Sequence, residues 1–359
     1  MSRLAIDDDY LPPGEPIAHS GRRRDQSGAA KPQFRSARDF CALYEPLSYA
    51  VEPVIRSASL YTLTAKTGSG KTAWLIVAAL AIATGRADIL GPEVTRGRVA
   101  YIAAENPDDL RMRIMVAAFM LNIDLDEIGD DLVILDRRVK PEELVLTMKG
   151  LAAVRPFALV MIDTLAAFFD GGDINDNVQG GEFMRRLRPL TSIAGSPSVV
   201  VAAHPVKNAS DENLVPYGGG AILNEVDGNL TLSAKSGLVS LHWQGKLRGL
   251  EFKPLFFRLE SASSPDVIDA KGRQVLLPVC RPATEDDAER REASEIDTDH
   301  ALLRAIRAEP DASQMAWATA IGKSKALVNK KLQKMKGEKL VDVTLGKWSL
   351  TEKGKKACE

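Results

Sequence analysis

Ser59-Leu-Tyr-Thr-Leu-Thr-Ala-Lys-Thr-Gly-Ser-Gly-Lys-Thr72 decides how this chain is read. Leu60, Thr62 and Thr64 alternate with their neighbours as a short strand does, and Ala73-Trp-Leu-Ile-Val-Ala-Ala-Leu80 reads as a buried helix. Between them lies Ala65-Lys66-Thr67-Gly68-Ser69-Gly70-Lys71-Thr72, a glycine-rich turn in the strand–loop–helix setting that a phosphate cradle requires. Gly68 and Gly70 let successive backbone N–H groups curl inward, and the positive end of the following helix faces the same anion. Lys71 would reach the β- and γ-phosphates of a nucleotide, and the Thr72 hydroxyl would hold Mg²⁺.

Working outward, the pattern alternates strand with helix. Arg98–Glu105, Asp131–Asp136, Phe157–Thr164 and Ser198–His204 read as strands, the longer ones apolar almost throughout, as in parallel sheets covered on both faces. Asn106, with Pro107 and Asp108-Asp109 behind it, starts a helix; Pro141–Val154 and Glu182–Ala194 are two more. The expected fold class is therefore α/β, a mostly parallel doubly wound sheet. After His204 the helices stop. Gly228–Lys235, Leu238–Lys246 and Phe252–Ser261 read as antiparallel strands extending the sheet, with Val267–Val279 as a further one.

The ends of the chain have a different texture. Residues 1–35 are rich in Asp, Pro, Gly and Arg, including Arg22–Arg24, and read as a disordered tail. Ser36–Ile55 is more apolar and is expected to fold onto the main domain, which runs over 36–281. Residues 282–298 are acid-rich and read as a linker. Residues 299–359 form a separate module: helices at His300–Ala308, Ser313–Ala320 and Ser324–Lys336, then two short strands joined at Gly346, the order of a winged helix-turn-helix.

Composition narrows the class. A chain of 359 residues with 45% hydrophobic and 26% charged content suits a large soluble domain plus a small one. Cys41, Cys280 and Cys358 have neither disulfide nor zinc spacing, so a reducing cytoplasm is expected. Ala73–Thr84 is too short to span a bilayer, and the N-terminus lacks the apolar core of a signal peptide. No membrane partner is expected.

Further candidates lie at strand ends. Asp163 closes an apolar strand at the sheet edge where the glycine-rich loop opens, and would bind Mg²⁺ there. Glu105, at the end of the strand that follows the glycine-rich loop's helix and at the same edge, can deprotonate a water attacking the γ-phosphate; capping the Asn106 helix is the plainer use. His204 could sense the γ-phosphate and relay its state to Pro205–Gly220, or be a structural histidine. Lys246 and Arg248, flanked by Gly245 and Gly249, suit insertion into a neighbouring copy's site; a solvated turn is the alternative. In the C-terminal module Lys323, Lys325, Lys330, Lys331 and Lys334 crowd the third helix, which favours DNA phosphate contact, with protein docking as the other use.

Together these motifs resemble the RecA-fold ATPases of the plasmid RepA replicative-helicase type. The resemblance covers Ser59–Leu259 and rests on 65–72, Tyr101–Asn106, Val160–Thr164, Gly172–Asn177, Ala203–Lys207, Gly218–Ala221 and Lys246–Arg248. It implies a RecA-like P-loop NTPase core using ATP and Mg²⁺, assembled as a homo-oligomer, usually a hexameric ring. It also implies Glu105 as catalytic carboxylate, His204 as sensor, Lys246 and Arg248 acting across the interface, and single-stranded DNA in a central channel. The expected function is Mg²⁺-dependent ATP hydrolysis driving a helicase or translocase in replication or recombination, in the setting of a mobile element. An ATP-switched DNA-binding protein or regulator that assembles on DNA without unwinding it is the alternative.

Overall fold

The computed structural model describes residues 34–358 apart from Asn175, Ser236 and Leu345. Most of the expected N-terminal tail, with Arg22–Arg24, lies outside the described residues. The chain divides into two units between Pro46 and Leu47, inside the stretch expected to fold as one piece. In the first unit Ser36 caps the short helix Ala37–Cys41, which buries none of its residues, and Phe34, Phe40, Leu43 and Tyr44 are exposed. The second unit begins with a small antiparallel ribbon, Tyr49–Val51 against Ile55–Arg56, that sinks Val51, Val54 and Ile55 into its core. Residues 36–46 are thus separated from the expected 36–281 domain because they contribute nothing to that core.

The second unit is built on nine strands: β1 (Leu60–Ala65), β2 (Arg98–Ala103), β3 (Leu132–Leu135), β4 (Phe157–Asp163), β5 (Ser198–Ala203), β6 (Gly228–Lys235), β7 (Leu238–Leu247), β8 (Leu255–Ala262) and β9 (Leu277–Ala283). Their order across the sheet is β9-β8-β7-β6-β1-β5-β4-β2-β3. From β6 to β3 all pairings are parallel, and from β6 to β9 all are antiparallel. The expected mostly parallel sheet with an antiparallel extension is present.

The period of two along these strands feeds two separate cores. Tyr61, Leu63, Val99, Tyr101, Leu159, Met161, Val200 and Ala202 face one layer, where α1 (Lys71–Thr84) and α2 (Pro107–Met120) pack. Leu60, Ala100, Ile102, Val160, Ile162, Val199 and Val201 face the other, with α3 (Pro141–Val154), α4 (Asn177–Leu187) and α5 (Gly219–Glu225). Helix α1 is buried from Ala73 to Ala83, which explains its uniformly apolar sequence.

Three elements differ from the sequence reading. Helix α4 starts earlier because Asp176 caps it, and it tightens at Arg188–Ser192, where Pro189 removes a donor. The last strand is Leu277–Ala283 rather than Val267–Val279; Ile268 and Gln274 instead face each other across a turn. The acidic stretch 282–298 is no linker: Pro282 and Ala283 end β9, and residues from Glu285 on belong to α6 (Glu285–Ala308). Thr284 and Asp287 form a reciprocal capping box, and the acids fall in the first turn where the helix dipole favours them.

Helix α6 leads into α7 (Gln314–Ala320), α8 (Lys325–Gly337), the ribbon β10 (Val341–Thr344) and β11 (Lys347–Leu350), and α9 (Glu352–Lys356). Leu302, Leu303, Ile306, Trp317, Leu332 and Trp348 close a separate small core here. Among the described residues no helix is long and apolar enough to cross a membrane.

Candidate nucleotide-binding site

The C-terminal ends of β1, β2, β4 and β5 open into one cavity of about 490 Å³. Its lining includes Thr67, Gly68, Lys71, Thr72, Glu105, Asp163 and His204, so residues far apart in sequence meet at one sheet edge. Of the other loop residues, Ala65 is buried at the end of β1, and its carbonyl accepts from Lys71 Nζ at 3.3 Å. Ser69 is also buried, and Lys66 turns away from the cavity to pair with Asp211 at 2.7 Å. Gly68 and Gly70 have φ of +80° and +84°, the left-handed region that glycine enters freely. A Cβ on Gly68 would meet nothing within 4 Å, whereas one on Gly70 would strike the Leu259 side chain at 2.8 Å. The loop is open on the cavity side and tightly packed behind.

Asp163 is the hub. Its Oδ2 accepts from Thr72 Oγ1 at 2.9 Å and from Tyr101 Oη at 2.8 Å, while its Oδ1 is buried with no hydrogen-bond partner. A buried carboxylate oxygen left unpaired is costly and invites a cation. Beside it stands the Thr72 hydroxyl, so the donor set of one carboxylate and one hydroxyl fits Mg²⁺, which takes its remaining ligands from water and phosphate oxygens. Among the described residues no group of three or more His, Cys, Asp or Glu gathers to hold a metal. Tyr101 is fully buried, and burial together with the Asp163 charge pushes its phenol well above the usual value, so it stays a proton donor.

Lys71 is nearly buried; desolvation lowers its pKa, while Asp163 and Glu105 pull the other way. His204 Nδ1 lies 3.5 Å from Lys71 Nζ. Burial, then the Lys71 charge, depress the His204 pKa below its ordinary 6.5, which favours the neutral imidazole. Glu105 does not end a strand, as the sequence suggested. Strand β2 stops at Ala103, and Glu105 is exposed at the cavity mouth, where it accepts from Thr164 Oγ1 at 3.4 Å. Exposure follows from the chain turning outward to start α2, which Asn106 caps by accepting from Asp109 N.

Lys246 and Arg248 are not at this cavity. Leu247 pairs with Gly228, and Gly228 with Tyr61, so both cations lie at the start of β1, about 15 Å of strand away from the loop that follows its end. They do not form an open tip either. Lys246 Nζ donates to the carbonyls of Leu223 and Asn224 at 2.8 Å, and Arg248 Nη1 donates to Asp227 Oδ1 at 3.2 Å. Asp227 also accepts from Leu60 N and Arg188, so this carboxylate holds Arg248 together with Arg188.

In the C-terminal module the lysines divide. Lys323, Lys325 and Lys330 are exposed. Lys331 is instead buried in an ion pair with Asp299 of α6, and Lys334 reaches the same carboxylate at 3.4 Å. Lys331 therefore leaves the set of candidate phosphate contacts: it points inward, where the spacing of α8 puts it beside Val328 and Leu332.

Sequence reasoning missed Tyr101, which looked like one more apolar strand residue, and the Asp109–Arg113 pair that lines the cavity from α2. It also missed Asn229. The one signal for Asn229 was a polar residue inside an otherwise apolar strand.

Comparison with known proteins agrees with this geometry over half the chain. A search of curated proteins finds no match. A protein-family model described as AAA domain matches residues 27–210, from before the first unit's helix through all four strands that build the cavity to the segment after His204. The chain belongs to the AAA domain family of P-loop ATPases.

Proposed function

We propose that the protein hydrolyses ATP with Mg²⁺ and uses the cycle to act on DNA, as a ring-forming helicase or translocase of the RepA and RecA kind. The observation that carries this reading is the single cavity in which the glycine-rich loop meets Glu105, Asp163 and His204. Lys246 and Arg248 lie at the opposite end of the sheet, held by the Leu223 and Asn224 carbonyls and by Asp227, and would serve a neighbour's nucleotide by exchanging those partners in a head-to-tail contact that closes into rings.

In the nucleotide site Lys71 and the backbone N–H groups of 67–72 would hold the phosphates, and Thr72 with Asp163 would hold Mg²⁺. Bound there, the metal supplies charge neutralisation for the transferring phosphoryl. Tyr101 and Thr72 fix the Asp163 carboxylate, and Glu105 accepts the proton of the attacking water at its carboxylate. His204, neutral and beside Lys71, reads whether a γ-phosphate is present. The C-terminal helices and ribbon are read as a winged helix whose Lys323, Lys325, Lys330 and the rim lysine Lys334 contact DNA phosphates, α8 entering the major groove.

The test is ATP turnover with and without single-stranded and duplex DNA, with native mass measured under the same conditions. DNA-stimulated turnover by an oligomer is expected; a monomer with unstimulated turnover would defeat the proposal. One observation favours the second reading, an ATP-switched binder that does not unwind. The segments 170–179 and 205–220, which would line a channel, contain Asp170, Asp173, Asp176, Asp211 and Glu212 against a single cation, Lys207, where a strand-tracking channel is normally basic. ATP-dependent retention on DNA without stimulated turnover would select it.

A further inference from the structure

Residues 205–217 leave the cavity at His204 and return to it. Tyr217 N donates to the His204 carbonyl at 2.8 Å, Pro205 faces Pro216, and Val206 N donates to Val215 O, so the segment is an arm closed at its base. Two side chains grip it from different sides. Gln244, on β7, accepts from Leu214 N at 2.5 Å and donates to the Asp211 carbonyl at 2.9 Å. Lys66, in the glycine-rich loop, pairs with the Asp211 carboxylate.

Behind the arm lies a buried amide with every hydrogen-bonding site filled. Asn229 Nδ2 donates to Leu214 O at 2.9 Å and to the Gln244 carbonyl at 3.1 Å. Its Oδ1 accepts from Thr62 at 2.9 Å and from Thr64 at 2.7 Å. Asn229, Thr62, Thr64 and Leu214 have no exposed surface, so the network sits in low dielectric, where hydrogen bonds are strong and a broken one is costly. The arm is thereby tied at once to β1, to the loop that β1 feeds, and to the strand that carries Lys246 two residues beyond Gln244.

We infer that 205–217 is a nucleotide-responsive arm and that Gln244 is its positioning residue, with the Lys66–Asp211 pair as the second latch. The inference rests on the proposal that 65–72 binds a nucleotide. Phosphates ordering that loop would hold Lys66 still, Lys66 would hold Asp211, and Gln244 would convert a fixed Asp211 into a fixed Leu214. Without the Gln244 side chain the two ends of the grip are uncoupled, although the loop still binds phosphate.

Backbone amide hydrogen exchange of the full chain tests this, with and without AMP-PNP and Mg²⁺, alongside a separate titration of AMP-PNP binding. In the unaltered protein the nucleotide should slow exchange over 206–217 by about tenfold or more. In Gln244→Ala that ratio should fall to within about twofold while AMP-PNP affinity changes by less than about threefold. A residue that merely stiffened the arm would raise exchange equally with and without nucleotide and leave the ratio intact, which would overturn the inference. Should Gln244→Ala not fold, Asp211→Asn removes only the exposed latch and should lower the ratio in the same way; an unchanged ratio there overturns it equally. If the unaltered protein binds AMP-PNP with no slowing, the arm is not coupled. If it does not bind AMP-PNP, the nucleotide-site proposal itself fails.

Discussion

The hydroxyl of Thr72 donates to Asp163 Oδ2 across 2.9 Å, joining the first turn of α1 to the last residue of β4. Ninety-one positions of sequence separate the two, and the parallel sheet brings them together because both β1 and β4 end at the same edge. Tyr101 approaches the same oxygen from β2, which leaves Oδ1 buried without a hydrogen-bond partner.

Asp163→Asn keeps the shape of the side chain and its contact with Thr72 but removes the charge that would hold Mg²⁺. Hydrolysis should fall by about a hundredfold or more. Titration of Mg²⁺ in the presence of ATP should show weakened metal dependence, whereas Mg²⁺-free nucleotide binding should change little.

Asn229→Leu should be among the most destabilising single changes in the sheet. It would strand the Thr62 and Thr64 hydroxyls and the Leu214 carbonyl in a site without exposed surface, at a cost of about 2–4 kcal/mol. Thermal unfolding followed by circular dichroism should show a midpoint lower by roughly 5–10 °C.

The nucleotide-binding half was readable because its signals are local. A glycine-rich loop between an apolar strand and an apolar helix has few other meanings, and each carboxylate or imidazole at a strand end inherits the same sheet edge. What the sequence hid depends on long-range pairing. Asn229 reads as an anomaly until β6 lies beside β1. Lys331 reads as one more basic residue of α8 until Asp299 is found opposite it. The stretch 282–298 misled for a different reason: its acids suit a solvated linker and equally the first turns of an exposed helix, and the capping box of Thr284 and Asp287 decides between them.

Lysines of the C-terminal module should separate into two classes. Lys330→Ala removes an exposed charge and should weaken DNA binding and lower the slope of log affinity against log salt by about 0.9. Lys331→Ala abandons the largely buried Asp299 carboxylate and should instead destabilise the module by about 3 kcal/mol. Salt-dependent DNA titration and chemical denaturation of both variants distinguish the two effects.

His204 sets a pH dependence of stability whose sign follows from its depressed pKa. Between the unfolded value of 6.5 and the lower folded value the unfolded chain binds the extra proton, so stability falls as pH drops through that window and levels off below it. Above 6.5 both states are neutral and the group has no effect. Denaturant unfolding stepped downward from neutral pH should show this loss in the unaltered protein and a flatter curve in His204→Gln.

The most direct measurement is single-turnover hydrolysis of Mg²⁺-ATP by the intact chain and by Glu105→Gln, with nucleotide affinity measured on both. A loss of hydrolysis of about a hundredfold or more is expected with affinity nearly unchanged, since Glu105 moves a proton and does not hold phosphate. Hydrolysis that survives the substitution would contradict it, and would leave the Thr72–Asp163 hub without the catalytic carboxylate assigned to it.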